Sequence, residues 1–183
     1  MLAEFGYDAD GLAAGRALQV TAHQAYIARQ QALAARQSAD AADLAAEADA
    51  RRMFTDYRRV ARTLFKTPAQ RTALGLKGKL PYDQEQFLQL ARTAYQSALG
   101  TPAYANVLAR SGYPASKLQD ALAALDAVVA ANNAQITAQA AAFHATRARR
   151  TALGALNEWL AQLNAVLRVA TRTRADLAQK VGL

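Results

Sequence analysis

The amino-acid sequence predicts an all-α fold: an elongated helical bundle built of two similar long-helix units with short corner helices and an internal pseudo-twofold. Three observations lead there. Alanine, the strongest helix former, supplies 48 of the 183 residues. Two long stretches are almost free of helix breakers. Neither Gly nor Pro occurs between Gly15 and Pro68, and only Gly154 interrupts the run from Pro114 to Gly182. The chain also repeats itself at an offset of 106 residues.

The repeat is clearest where "LAEFGYDADGL" meets "LARSGYPASKL". Leu2, Gly6, Tyr7 and Leu12 fall on Leu108, Gly112, Tyr113 and Leu118. Further along, Met53 falls on Trp159, Phe54 on Leu160, Tyr57 on Leu163, Val60 on Val166 and Arg62 on Arg168. With one residue inserted, "LGL" at 74–76 meets "VGL" at 181–183. The expected organisation is a single all-helical body over 1–183, with repeat unit one at 1–76, a connecting hinge and helix at 77–107, and repeat unit two at 108–183. Met1 falls inside the equivalent of the short helix before Gly112, so the repeat starts part-way through a unit.

Taken in chain order, the first corner is the Gly6-Tyr7 pair, with an Asp-rich stretch launching the first long helix. An unbroken helix of some 55 residues measures about 80 Å. The weak helical spots "QSADAAD" at 37–43 and "FHATRAR" at 143–149 occupy matching positions, and a break at both is the alternative to two continuous helices. Continuous helices are the favoured reading. Three corner elements follow one scheme: "KTPAQRTALGL" from Lys66, "GTPAYANVLARSGY" from Gly100 and "RTRADLAQKVGL" from Arg172. Each places a Thr where a helix needs a side-chain acceptor, and the first two put Pro at the first helical position. Gln70 completes a capping box with Thr67, and Asp176 serves Thr173 in the same way. Gly75, Gly112 and Gly182 supply the left-handed residue that ends each short helix. "GLKGKLP" at 75–81 reads as a basic hinge, because it lacks phosphate-loop spacing and follows a helix rather than a strand. Asp83 then caps a helix whose apolar side is Phe87, Leu88, Leu90, Ala91, Tyr95, Ala98 and Leu99, ended by Gly100.

Half of the 52% hydrophobic content is alanine, which buries little area per residue. The expected core is therefore thin, and self-association is expected to complete its burial. With no Cys, disulfides and thiolate metal sites are excluded while the redox compartment stays open. No apolar run approaches a membrane span. The acidic start "MLAEFGYDAD" has no basic region of a signal peptide, so a cytoplasmic location is expected.

The net charge of +8 is unevenly spread, at −4 over residues 1–50 and +7 over residues 51–100. The most ordered polar feature is "RRMFTDYRRVARTLFK". At helical spacing, Arg51, Arg52, Arg58, Arg59, Arg62 and Lys66 share one arc opposite Met53, Phe54, Tyr57, Val60, Leu64 and Phe65. These six residues are the candidate binding site for an anionic partner: a phosphate backbone, acidic lipid heads or an acidic protein. The plainer reading is a solvated face that pairs with the acidic "DAADLAAEAD", and it weighs more.

Other candidates are structural. Trp159 lies on one stripe with Leu153, Leu156, Leu160, Leu163, Val166, Leu167 and Ala170, a core seam with Trp as anchor. Arg147, Arg150, Arg168 and Arg172 fall on the other side. His23 shares a stripe with Val20, Tyr26 and Ile27, its repeat equivalent is Val129, and His144 stands in the other unit, so both histidines read as structural. The absence of a Glu-x-x-His motif leaves a di-iron bundle without support. No nucleophile–base order stands out, so no catalytic residue, cofactor or metal is assigned. Amides such as Asn132, Asn133, Gln135 and Gln139 gather in the early half of each long helix, where they can fix register.

The "GY" pair, the long Ala/Gln helix, the aromatic-Leu seam and the terminal "LGL" or "VGL" together resemble uncharacterised bacterial Ala-rich all-helical proteins with tandem long-helix units. That resemblance implies the fold and no activity. The Ala/Gln-rich stretch at 127–142 also resembles phasins, which coat storage granules through amphipathic helices, although the strong caps here favour a defined bundle. The functional expectation is a non-enzymatic structural or protein-interaction module that forms a homo-oligomer or takes an acidic protein partner. The alternative is an anionic-surface binder, for nucleic acid, membrane or granule surface, acting through the basic stripe.

Overall fold

The computed structural model describes residues 6–170, which form five α-helices and no strand. They are α1 (Ala9–Leu64), α2 (Pro68–Ala73), α3 (Gln84–Gly100), α4 (Pro102–Arg110) and α5 (Ala115–Ala170). The chain is all-α, as the alanine content and missing breakers require. α1 and α5 each run unbroken for 56 residues, through the weak spots at 37–43 and 143–149. Alanine, with its low helical cost, recurs in both stretches and helps to carry the helix through them.

The corners are built as their residues dictate. Thr67 accepts from the Gln70 N–H while the Gln70 side chain accepts from the Thr67 N–H, a reciprocal capping box. The Asp83 carboxylate accepts from the Gln86 N–H at 2.9 Å and starts α3, and Asp8 accepts from the Gly11 N–H at 2.9 Å at the head of α1. Gly75 and Gly112 adopt left-handed φ of 64° and 82° and close α2 and α4. At α4 the Tyr113 N–H reaches the Leu108 carbonyl at 2.9 Å, the long bond of a Schellman turn. Gly6 has φ 83°, so the glycines of the Gly-Tyr pairs at 6–7 and 112–113 share the left-handed φ, and α1 and α5 start 106 residues apart. One expectation fails: Thr101 occupies the cap position of α4, but its side chain makes no cap hydrogen bond. Thr173, Asp176, Gly182 and Arg172 lie outside the described residues.

The chain divides into two compact units that cut across the sequence repeats. Unit 1 comprises Met1–Arg36 with Ala138–Leu183, and unit 2 comprises Gln37–Thr137. In unit 2 the second part of α1 and the first part of α5 pack with α2, α3 and α4 around one core. Phe54 and Tyr57 from α1, with Phe65 just past its end, meet Leu118, Leu125 and Val128 from α5 there. α3 adds Phe87, Ala91, Ala94, Tyr95 and Ala98, while Leu74, Leu76 and Leu108 close the ends. Five aromatic rings interlock at its centre. Phe54 meets Tyr57, Phe87 and Tyr95 at 5.5–6.0 Å between centroids, and Tyr57 meets Tyr95 at 5.0 Å and Tyr113 at 5.9 Å.

In unit 1 the first part of α1 and the last described part of α5 lie antiparallel, without a covering helix among the described residues. Non-exposed positions recur at alternating steps of three and four. On α1 they include Gly15, Leu18, Ala22, Ala25, Arg29 and Ala32; on α5 they include Ala138, Ala142, Ala145, Arg149, Ala152, Leu156, Trp159, Leu163, Val166 and Ala170. That spacing keeps one narrow face toward a neighbouring helix over many turns. Small residues dominate it, so the helix pair approaches closely and buries little. Tyr7 meets Trp159 edge-on at 5.7 Å, and Arg149 sits over the Tyr26 ring at 5.7 Å.

The seam differs from the expected stripe. Val20, Tyr26 and Ile27 are exposed, at 53%, 45% and 42%, and His23 is exposed with them. The helix pair selects Ala22 and Ala25 because small side chains permit close approach, which leaves the bulkier stripe outside. His23 is therefore not a core histidine, and His144 is exposed as well.

Candidate functional site

The six candidate residues Arg51, Arg52, Arg58, Arg59, Arg62 and Lys66 all lie on α1 within unit 2, and the structure gives them two different fates. Three arginines reach over the segment between α2 and α3, Arg58 buried, Arg51 half-buried and Arg62 exposed. Arg51 donates to the Pro81 and Tyr82 carbonyls at 2.8 Å each and to Glu47 Oε1 at 2.6 Å, with its guanidinium 4.4 Å above the Phe87 ring. Arg58 donates to the Lys77 and Gly78 carbonyls at 3.0 and 2.8 Å. Arg62 donates twice to the Leu76 carbonyl, at 3.1 and 2.9 Å. These three residues thus satisfy carbonyls at 76–78 and 81–82 that no helix can reach. A hydrogen bond from a charged donor contributes roughly 1.5–3 kcal/mol, more than a neutral one.

Arg58 is the extreme case, at 4% exposure and the single buried charged residue among the described residues. Burial holds its pKa below the usual arginine value, and the neighbouring Arg62 adds to the effect. Its Nε makes no hydrogen bond. The other three candidates stay on the surface. Arg52 pairs with Asp49 at 2.8 Å, Arg59 with Asp56 at 3.8 Å, and Lys66 Nζ donates to the Arg62 carbonyl at 3.3 Å. Exposed pairs of this kind are worth about 0–1 kcal/mol. Glu47 and Asp49 belong to the acidic segment, so part of the stripe is compensated by its own helix.

Arg58, Arg59 and Arg62 also border a hollow of about 540 Å³ together with Lys79 and Thr55. No carboxylate lines it. This is where the stripe comes nearest to an anion site, although two of its three arginines already have backbone acceptors.

A second surface was missed by the reading of charge. In unit 1 a groove of about 490 Å³ runs between Leu12, Gly15, Arg16 and Gln19 on α1 and Leu156, Trp159 and Leu160 on α5. Trp159 forms its floor. A Cβ on Gly15 would lie 2.3 Å from the Trp159 ring, so glycine is what lets the indole lie against α1. Trp159 is on the expected stripe, yet it is only partly buried, and Leu160 is 39% exposed. The expected closed seam is open at this point. The signal was present in the repeat: Leu12, Gly15, Leu156 and Leu160 stand in register with Leu118, Ala121, Ala50 and Phe54, all buried in unit 2.

Among the described residues no group of three or more His, Asp or Glu side chains is placed to hold a metal ion. None of the helices there is long and apolar enough to cross a membrane. Compared with protein-family models, curated proteins and solved structures, the chain matches none.

Proposed function

We propose that the chain is a non-enzymatic helical protein-interaction module, with unit 2 as its folded body and the open helix pair of unit 1 as its contact surface. One observation carries this reading. Positions that are buried in unit 2 have repeat counterparts in unit 1 that line an open groove floored by the chain's single Trp. Apolar surface left in this form favours protein contact. Contacts between copies of the chain belong to this reading, since a thin alanine seam gains from further burial.

Light scattering over a concentration and salt series tests self-association. A mass above 19.6 kDa that persists at high salt supports apolar contact between copies. A mass that collapses with salt places the contact on charged residues instead, and 19.6 kDa throughout limits the module to contacts with other proteins.

A second reading rests on the hollow bordered by Arg58, Arg59, Arg62 and Lys79. There the chain would engage anionic surfaces, with Arg52 and Lys66 as outlying contacts. A titration with labelled DNA and with anionic vesicles at low salt tests it. Salt-sensitive binding that weakens on Arg59→Gln supports this reading, and no binding at low salt removes it.

A further inference from the structure

The geometry points to a specific occupant for the groove of unit 1: a single amphipathic helix of a partner protein, carrying an α3-like stripe of small and aromatic residues with acidic residues on its flank. The inference rests on reading unit 1 as a contact surface, but not on self-association.

The argument comes from the repeat. In unit 2, Phe54 on α1 and Leu118, Ala121 and Leu125 on α5 face into a core that α3 completes with a Phe-x3-Ala-x2-Ala-Tyr-x2-Ala stripe, Phe87 to Ala98. Phe54 touches both aromatic residues of that stripe, with centroids 6.0 Å from Phe87 and 5.5 Å from Tyr95. In unit 1 the same register positions are Leu160 on α5 and Leu12, Gly15 and Gln19 on α1. All four line the groove. The chain therefore presents the same two helical faces twice, and among the described residues it covers one of the two with a helix. A helix in the groove would meet what α3 meets, apart from polar replacements at the edge. Gln19 stands where unit 2 has Leu125, and Arg16 where it has Leu122.

Those replacements set the charge of the occupant. Arg16 lines the groove with no carboxylate in the lining and no ion-pair partner among the described residues. The described part of unit 1 carries seven arginines against Asp8, Asp10 and Glu158. This basic balance opposes a second copy of the same face and favours a helix with acidic flanks.

Trp159 is the chain's only Trp and forms the groove floor, so its fluorescence reports occupancy directly. The full chain is titrated with two synthetic peptides spanning α3, both free of Trp. One carries Arg92→Glu and Ser97→Glu, and the other keeps Arg92 and carries Ser97→Lys. The expected result is a saturable blue shift of Trp159 with both peptides, the acidic one binding about five-fold tighter at low salt. Leu160→Glu should abolish the shift while far-UV circular dichroism is unchanged, and Arg16→Glu should reverse the order of the two peptides.

No shift with either peptide, or an equal shift with a scrambled acidic peptide, overturns the inference while leaving unit 1 open to other contacts. A blue shift that grows with protein concentration in the absence of peptide, with a doubled mass by light scattering, overturns it in favour of a second copy.

Discussion

The two compact units use the same helices and arrive at opposite degrees of closure. Phe54 is 0% exposed in unit 2, while its repeat counterpart Leu160 is 39% exposed in unit 1. Leu118 is 1% exposed and its counterpart Leu12 is 39% exposed. The difference does not lie in the helix pair, since both pairs place small or apolar residues at steps of three and four. It lies in α2, α3, α4 and the arginine-held segment between α2 and α3, which cover one pair. Long alanine-rich helices set the frame here, and the covering elements supply the large apolar side chains that make a core. Where no covering helix stands among the described residues, the same frame becomes a surface.

The largest expected effect separates the two units by stability. Phe54→Ala should destabilise the chain by about 3–5 kcal/mol, because it empties the centre of five interlocked rings. Leu160→Ala, at the equivalent position, should cost less than about 1 kcal/mol, because the side chain is already partly in water. Urea unfolding of both variants checks the contrast. Equal losses would mean that unit 1 is as closed as unit 2.

Next in size is the arginine clamp. Arg58→Leu removes the donors from the Lys77 and Gly78 carbonyls and should lose roughly 2–3 kcal/mol. Arg59→Ala, one residue on, breaks only an exposed pair and should stay within about 0.5 kcal/mol. Thermal unfolding of the two variants side by side shows whether the stripe is divided as the hydrogen bonds indicate.

In unit 1, Gly15→Ala forces a methyl into the Trp159 ring. The helix gains roughly 1 kcal/mol of propensity from the added methyl and loses a similar amount as the indole is displaced. Stability should barely change while the Trp159 emission moves to longer wavelength. An unchanged emission would show that the indole does not lie against α1.

The smallest effect concerns the buried tyrosines. The Tyr57 and Tyr95 hydroxyls have no hydrogen-bond partner, and burial, aided by neighbouring tyrosines, pushes both pKa values above the ordinary tyrosine range. In the unfolded chain these groups ionise near pH 10, whereas in the folded chain they stay protonated. Stability is therefore full below that pH and falls as pH rises beyond it. Tyr95→Phe should be neutral or up to about 1 kcal/mol stabilising near pH 7 and should lessen the alkaline loss. Urea unfolding at neutral and alkaline pH measures both.

Much of this was legible in the residues. Thr67 with Gln70, Asp83, Gly75 and Gly112 announce their caps, and the offset of 106 residues pairs two glycines, Gly6 and Gly112, of the same left-handed φ. What was not legible follows from how helices choose neighbours. Hydrophobicity ranks Val20 and Ile27 above Ala22 and Ala25, but close approach of two helices favours the alanines. Charge spacing places Arg58 on a basic face, yet its acceptors are carbonyls 19 and 20 residues away, in a segment whose path no local pattern encodes. The groove at Trp159 was written in the repeat, and only the burial of Phe54, Ala50 and Leu118 in unit 2 shows what its lining residues are equivalent to.

Native-state hydrogen exchange along α1 tests the contrast between the units most directly, because one continuous helix contributes to both. At concentrations where the chain is monomeric, the amides of residues 50–61 should exchange only through global unfolding, and those of residues 12–32 through more frequent local opening. Equal protection along the whole of α1 would contradict the account, since it would mean that the helix pair of unit 1 is held as firmly as the core of unit 2.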